Sequence, residues 1–542
     1  MSVPTALRPA PTGRAPVRDP RSGQGRRRWS VTLLLLVGWA MVGAGIGRSD
    51  IVNAGGWSTM ARFWAAAASP DLSAEHLATT VQASLTTMAF AGLGTALAVA
   101  IGLVGGVLLS ARWWRPDPLD RRARREARRA GWLAGRLASG VPRGVHEAVW
   151  GLFLLTFLGR DPLVGVLAIG IPFGAITAKV YAELIDETAA GPDEALRAQG
   201  VPALVRFAYS VLPLVRHDLV AYGFYRLDCA LRSAIILGMI GAGGLGFEFI
   251  VAFQALAYEK LWTLIYALIV LGALVDAWSG SLRGEVSRAW SRASLLLSGA
   301  GCVAAAAYLG PSLSRLVKQR TWRLLADTAE RSWPPQLPVS WGRLGEATVA
   351  TLQMSVLAIV IGSVVGLGAA LVAARHPSQG PLRRAVGAGA RLILLGMRAL
   401  SVPVWALIVL FVVFPGLLPG AIALGLYNAG VLGRLFAEVI ENLDQRPVQA
   451  LVLAGASSAA AFFYGTLPLV APKMLAYALY RWEVAIRDTV IVGVVGAGGL
   501  GRILEERRAA FDMPGMLTVV LVLLGLAVVV DLVSAAARRD LR

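Results

Sequence analysis

Four arginines lie in or beside stretches that are otherwise apolar: Arg226 and Arg232, then Arg481 and Arg487. A guanidinium in such a place is costly unless it faces protein or water. Its planar fork of donors suits an oxyanion such as a phosphate or phosphonate group. Tyr225 and Tyr480 stand directly before Arg226 and Arg481, and the acids Asp228 and Glu483 follow two residues after each arginine. Two readings are open. The arginines pair internally with those acids or snorkel to headgroups, or symmetry-related cations line one axial path and attract an anion. Arg232 and Arg487 stand one helical turn beyond the acids, so internal pairing is within reach there too.

A polar segment upstream reads Asp193-Glu194-Ala195-Leu196-Arg197-Ala198-Gln199-Gly200, then Leu212-Pro213. A short amphipathic helix stopped by Gly200, with the chain re-entering an apolar span at Pro213, can offer a knob to a soluble partner's groove. An ordinary interfacial helix would look similar. The same spacing returns at Gln449-Ala450-Leu451, Gly455 and Leu467-Pro468, with Gln449 in place of the acid.

Gly241, Gly243, Gly244 and Gly246 satisfy the Gly-x-Gly-x-x-Gly pattern, as do Gly496, Gly498, Gly499 and Gly501. Neither run follows a strand or opens a βαβ unit, so a dinucleotide fingerprint is not implied. Glycines after an apolar span instead allow a turn at a pore mouth and close approach of helices. No Gly-x-x-x-x-Gly-Lys-[Ser/Thr] sequence occurs, so this chain has no P-loop for ATP. The histidines His76, His146, His217 and His376 are scattered, and Cys229 and Cys302 fall in apolar segments as small core residues. No metal site or bound cofactor is expected.

These residues must be positioned by membrane helices. Of 542 residues, 56% are hydrophobic and 16% charged, and the mean hydropathy is +0.62. Apolar stretches of about 20 residues, the length that crosses a bilayer core, recur throughout. They lie near 30–47, 80–110, 145–158, 163–184, 216–238 and 259–278, then near 294–310, 347–373, 391–414, 416–436, 469–494 and 516–536. The first follows Arg26-Arg27-Arg28, as a signal peptide would, but its Trp29-Ser30 and leucine run recur internally at Trp290-Ser291. Both copies therefore read as membrane helices.

The net charge of +19 is carried by arginines clustered between spans, ten of them in 111–144. The positive-inside rule accounts for such clusters, with anionic lipid as partner, and nothing accompanies them that points to nucleic acid. With the N-terminus in the cytoplasm, the 111–144, 185–215, 279–293, 374–390 and 437–468 loops are cytoplasmic. The external 311–346 stretch, with six basic residues, disagrees.

The chain repeats itself. At an offset of 255, Trp150 matches Trp405, Glu183 matches Glu438 and Gly200 matches Gly455. Between 225–246 and 480–501, 12 of 22 positions are identical. Upstream, Thr80 and Gly94 match Thr348 and Gly362 at an offset of 268. An even number of spans per copy makes the copies parallel, with equivalent loops on one side. The expected division is a cytoplasmic tail at 1–28, a first module at 29–280, a linker at 281–293, a second module at 294–536 and a tail at 537–542.

The segment Glu194, Ala195, Gly200, Leu212 and Pro213 resembles the coupling motif of ABC importer permeases: Glu-Ala-Ala, three residues, Gly, nine residues, Ile, one residue, Leu-Pro. Leu196 and Ser210 depart from it, and Gln449 lacks the acid in the second copy. The run from Tyr225 to Gly246, its second copy and the Phe436-Ala437-Glu438 segment are similar to phosphonate-type importer permeases. That likeness covers 78–280 and 345–536. It implies an all-α polytopic fold of two parallel six-helix repeats forming a pseudo-two-fold permease core, a fused version of a module that normally dimerises. It further implies an inner-membrane location and transport by alternating access. The implied partners are two cytoplasmic ATPase subunits, which would hold ATP and Mg, and an extracytoplasmic binding protein. The implied cargo is phosphonate, phosphate or phosphite. An importer for another small solute and an ion-coupled carrier are the competing expectations; an enzyme would need a nucleophile, metal cluster or soluble domain.

Overall fold

The structure is a computed structural model that describes residues 21–45, 51–53, 55–115, 122–282, 287–375, 380–457 and 460–541. Most of the expected 1–28 tail and part of the 281–293 linker lie outside the described residues. Apart from one isolated bridge between Val52 and Val413, the described residues form helices and their connectors.

Among the described residues, nine helices recur in each half. The first half holds α1 (Arg21–Gly43), α2 (Ala74–Leu109), α3 (Arg122–Ala138), α4 (Glu147–Leu158), α5 (Pro162–Glu187), α6 (Gly191–Ala198), α7 (Leu212–Leu237), α8 (Leu245–Gln254) and α9 (Tyr258–Ser281). The second repeats them in the same order as α10 (Arg288–Leu309), α11 (Trp341–Ala373), α12 (Pro381–Ala399), α13 (Val402–Val409), α14 (Leu417–Glu441), α15 (Arg446–Leu453), α16 (Leu467–Val492), α17 (Gly499–Ala509) and α18 (Met513–Leu541).

Among the described residues, α2, α5, α9, α10, α11, α14 and α18 are each long and apolar enough to cross a bilayer. Three bent pairs pass the same length and composition test when taken together: α7 with α8 at 57°, α12 with α13 at 96°, and α16 with α17 at 63°. Two short apolar segments, 31–43 and 147–158, complete twelve positions matching the twelve expected. The fold is an all-α membrane bundle of two parallel repeats.

One span is corrected. The apolar run near 391–414 is not one helix: it turns sharply at Leu400–Ser401, where α12 ends and α13 begins. α12 is amphipathic, with Leu382, Leu392 and Ile393 exposed on one side, and its axis lies 96° from that of α13. Pro403 near the start of α13 fits the first turn of a new helix.

In each half the tightest packing is one parallel pair, α2 on α5 and α11 on α14, and glycines set its spacing. A Cβ on Gly165 would strike the Phe90 ring at 2.7 Å, and one on Gly420 would strike the Met354 sulfur at 2.7 Å. Gly170 meets Leu97 as Gly425 meets Ile361. These pairings place α2 on α11 at an offset of 264 (354 minus 90), one helical turn away from the 268 that the Thr80 and Gly94 matches suggest.

The halves interlock. α1 packs on α11 and α18 of the second half, while α10 packs on α2 of the first. Trp29 donates to Asp540 at 2.7 Å, Gln353 donates to the Trp39 carbonyl at 3.3 Å, and Tyr308 meets Thr86 at 3.1 Å. The leading span of each repeat thus clasps the other repeat.

Candidate functional site

The chain's register delivers the glycine runs to one kind of turn in both halves. α7 and α16 each end in a π-type turn, Gly238–Ala242 and Gly493–Ala497, before the chain folds back into α8 and α17. Gly241, Gly243 and Gly244 have φ of +109°, +95° and +76°; Gly496, Gly498 and Gly499 have +112°, +88° and +69°. Side-chain-bearing residues rarely adopt such values. Thr87 on α2 accepts the Leu245 backbone N–H at 2.9 Å, and Thr351 on α11 accepts that of Leu500 at 2.9 Å. This second correspondence also falls at 264 (351 minus 87). Gly246 and Gly501 let the returning helix approach: a Cβ on either would lie 2.0 or 2.2 Å from the carbonyl oxygen of Ile235 or Val490.

The arginines of the two halves share a register but not their partners. Arg232 donates to Asp228 at 2.9 Å across one turn of α7. Arg487 donates instead to two backbone carbonyls, Glu483 at 3.2 Å and Arg143 at 2.7 Å. Glu483 is taken by Arg538 from the end of α18. Arg481 donates through Nε to Asn428 at 2.8 Å and lies 4.0 Å from Asp488. Neither Arg226 nor Arg481 pairs with the acid two residues on, because residues two apart point to different sides of a helix.

Arg226 differs from the other three. It is 7% exposed, and no hydrogen bond or ion pair reaches it among the described residues. Its guanidinium carbon lies over two rings, 4.8 Å from the centroid of Phe173 on α5 and 5.4 Å from that of Tyr222. Tyr222 in turn packs on Tyr181 and Tyr225, with centroids 5.9 and 5.7 Å away. Tyr225 from one half and Tyr480 from the other both lie within electrostatic reach of Arg226. Both side chains stay partly exposed, at 41% and 56%.

A mixed cluster escaped the sequence reading. His146, at the N-cap of α4, accepts the Ala148 N–H at 3.1 Å and points its other ring nitrogen toward Asp488 of the second half, 3.6 Å away. Ser233 donates to Glu147 at 2.6 Å. A lone histidine carries no motif, and its partners come from helices distant in sequence, so no signal marked it.

The polar segments form matching short helices at one end of the bundle. α6 and α15 each stop at a left-handed glycine, Gly200 (φ +74°) and Gly455 (φ +87°). The N–H of Val201 then bonds to the Leu196 carbonyl, and that of Ala456 to the Leu451 carbonyl, at 3.2 and 3.0 Å. Glu194, Ala195, Gln449 and Ala450 are all exposed. Glu194 pairs with Arg115 at 2.9 Å. α6 is held to the bundle by Asp193 facing Arg206 at 3.3 Å. At the equivalent place α15 uses apolar contact, with Val448 and Leu451 closing on Gly465. Tyr209 and Tyr464 project beside them at equivalent positions.

The family described as "Binding-protein-dependent transport system inner membrane component" matches residues 135–287 and 366–542. A phosphate-import permease protein of Mycolicibacterium smegmatis is 31% identical over 453 residues, covering 80% of this chain and 81% of that protein. A phosphite transport system permease protein of Stutzerimonas stutzeri is 34% identical over 220 residues, 40% of this chain and 78% of that one. Among solved structures, the MetNI methionine ABC transporter in an inward-facing conformation is matched at 19% identity and a TM-score of 0.34. That match covers 39% of this chain and 96% of that chain, a likeness too weak to bear on fold or conformation.

Proposed function

The chain belongs to the family of binding-protein-dependent inner-membrane transport components, and from that premise we propose that it carries a phosphorus oxyanion into the cytoplasm. It is a multi-pass permease of an ABC importer and not an enzyme. Phosphate, phosphite and phosphonate are the cargo class that the relatives' names support.

The observation that carries this reading is the pair of equivalent helices α6 and α15, each stopped by a left-handed glycine and exposed at the same end of the bundle. Two such helices give two docking points for two ATPase subunits, which would hold ATP and Mg. Each leads through a π-type turn, Phe207–Val211 or Ala461–Thr466, straight into α7 or α16. A push on the short helix therefore moves the long helix that bears Arg226 or Arg481. Closure of the motors would turn the two halves and expose the central space to an extracytoplasmic binding protein.

Co-expression with candidate ATPase and binding-protein partners tests this. The expected result is a complex with two ATPase subunits per chain, whose ATP hydrolysis rises when the binding protein carries phosphate, phosphite or methylphosphonate. A chain that purifies without any ATPase and moves solute down an ion gradient contradicts it.

A further inference from the structure

Resting on that reading of the cargo, we infer that the fused chain holds one anion-binding arginine, Arg226, and not a symmetric pair. A two-fold axis in a dimer of identical modules would present two equal cations. Here the sequence has given the four candidates four different fates. Arg232 is neutralised by Asp228 at 2.9 Å. Arg487 is held by carbonyls at 3.2 and 2.7 Å. Arg481 is engaged by Asn428 at 2.8 Å and has Asp488 at 4.0 Å. Arg226 alone of the four meets no acceptor among the described residues.

The cause is local and lies in the equivalent positions of α5 and α14. Phe173 and Asn428 occupy the same place, 255 apart, as do Pro172 and Tyr427. Asn428 offers Arg481 an acceptor, whereas Phe173 offers Arg226 only a ring face. Two turns beyond the arginines the pair is Ser233 and Asp488, so the second half carries an acid at that position and the first does not.

A buried guanidinium without an anion is expensive, and the two cation–π contacts offset that only in part. The cage fixes the plane of the guanidinium without using up its donors. Those donors suit two oxygens of a tetrahedral oxyanion. Arg226 stands 14 residues beyond the start of α7 at Leu212, roughly 21 Å along the helix, so the site is deep in the bundle. Its neighbours Tyr225 and Tyr480 are partly exposed, so the cage is not sealed on every side.

Binding of inorganic phosphate to the full chain in nanodiscs, followed by phosphorus NMR, tests the assignment. The expected result is one saturable site per chain, weakened at least tenfold by Arg226→Gln and less than threefold by Arg481→Gln. Phe173→Asn, which leaves the arginine in place and supplies an acceptor like Asn428, should weaken phosphate severalfold. Arg226→Lys keeps the charge and should bind better than Arg226→Gln, which separates loss of the site from loss of fold. Two equal sites, equal losses from the two Gln variants, or no binding by the unaltered chain would each overturn the assignment. Oxyanion uptake that survives Arg226→Gln defeats this inference and leaves the importer reading standing. Phosphate binding at Arg226 in a chain that imports only other solutes does the reverse.

Discussion

Arg434 reaches across the boundary between the halves to Asp276, its Nη1 lying 2.8 and 2.9 Å from the two carboxylate oxygens. Arg398 adds a third contact to the same carboxylate at 2.7 Å. The equivalent residues of the other boundary are Lys179, Asp531 and Arg143. There Lys179 faces Glu183 at 3.9 Å and Asp531 is exposed. The two boundaries are thus clasped unequally.

Asp276→Ala should therefore destabilise the chain, by about 1–3 kcal/mol, because it takes the carboxylate from the largely buried Arg398 and leaves Arg434 with Glu438. Asp531→Ala should change stability by less than about 0.5 kcal/mol. Thermal unfolding of both variants in detergent checks this, and equal shifts would contradict the unequal clasp.

Gly246→Ala should be far worse than Gly241→Ala. The first places a Cβ 2.0 Å from the Ile235 carbonyl oxygen, a backbone atom that cannot swing aside. The second meets open space and suffers only its φ of +109°. Expected costs are above about 3 kcal/mol for Gly246→Ala and roughly 1–2 kcal/mol for Gly241→Ala. Yield of folded protein and unfolding temperature read the difference.

Much of this was legible in the sequence. Hydropathy located the twelve apolar segments because each must be long and uncharged to replace water with lipid. It missed the corner at Leu400 because an apolar run from Leu392 to Phe414 looks the same whether straight or folded; only Ser401 and Pro403 hinted at a new start. The register of α2 on α11 was set a turn wrong because identical threonines and glycines recur along both helices. Contacts with Gly165 and Gly420 resolve it. The Arg232–Asp228 pair follows from i, i+4 spacing. Arg538 on Glu483 could not be foreseen, since 55 residues separate them, and neither could the exchange of α1 and α10.

Glu194→Ala should leave stability nearly unchanged, because its ion pair with Arg115 is exposed on both sides and worth at most about 1 kcal/mol. It should still lower stimulated ATP hydrolysis severalfold in the assembled complex. Gln449→Ala should do less, since its helix carries no charge there. The reverse order would mean that the second half dominates coupling.

Asp161 at the N-cap of α5 gives a pH test. Burial pushes its carboxyl up, but the Leu163 N–H, the contacts from Ser312 and the Arg315 guanidinium at 2.9 Å together hold it below its usual range. A lowered pKa means stability that is present above about pH 4 and is lost as pH falls through the lowered value. Asp161→Asn should thus be less stable than the unaltered chain at pH 7, and the gap should narrow on approach to pH 3. A gap independent of pH would remove the charge from the explanation.

The most direct measurement is ATP-dependent accumulation of labelled phosphate, phosphite or methylphosphonate in proteoliposomes containing this chain, its ATPase partner and the binding protein. The account predicts uptake of at least one of these oxyanions that needs ATP hydrolysis and the binding protein together. Uptake that proceeds without ATP, or a complete system that accumulates none of the three, would contradict it.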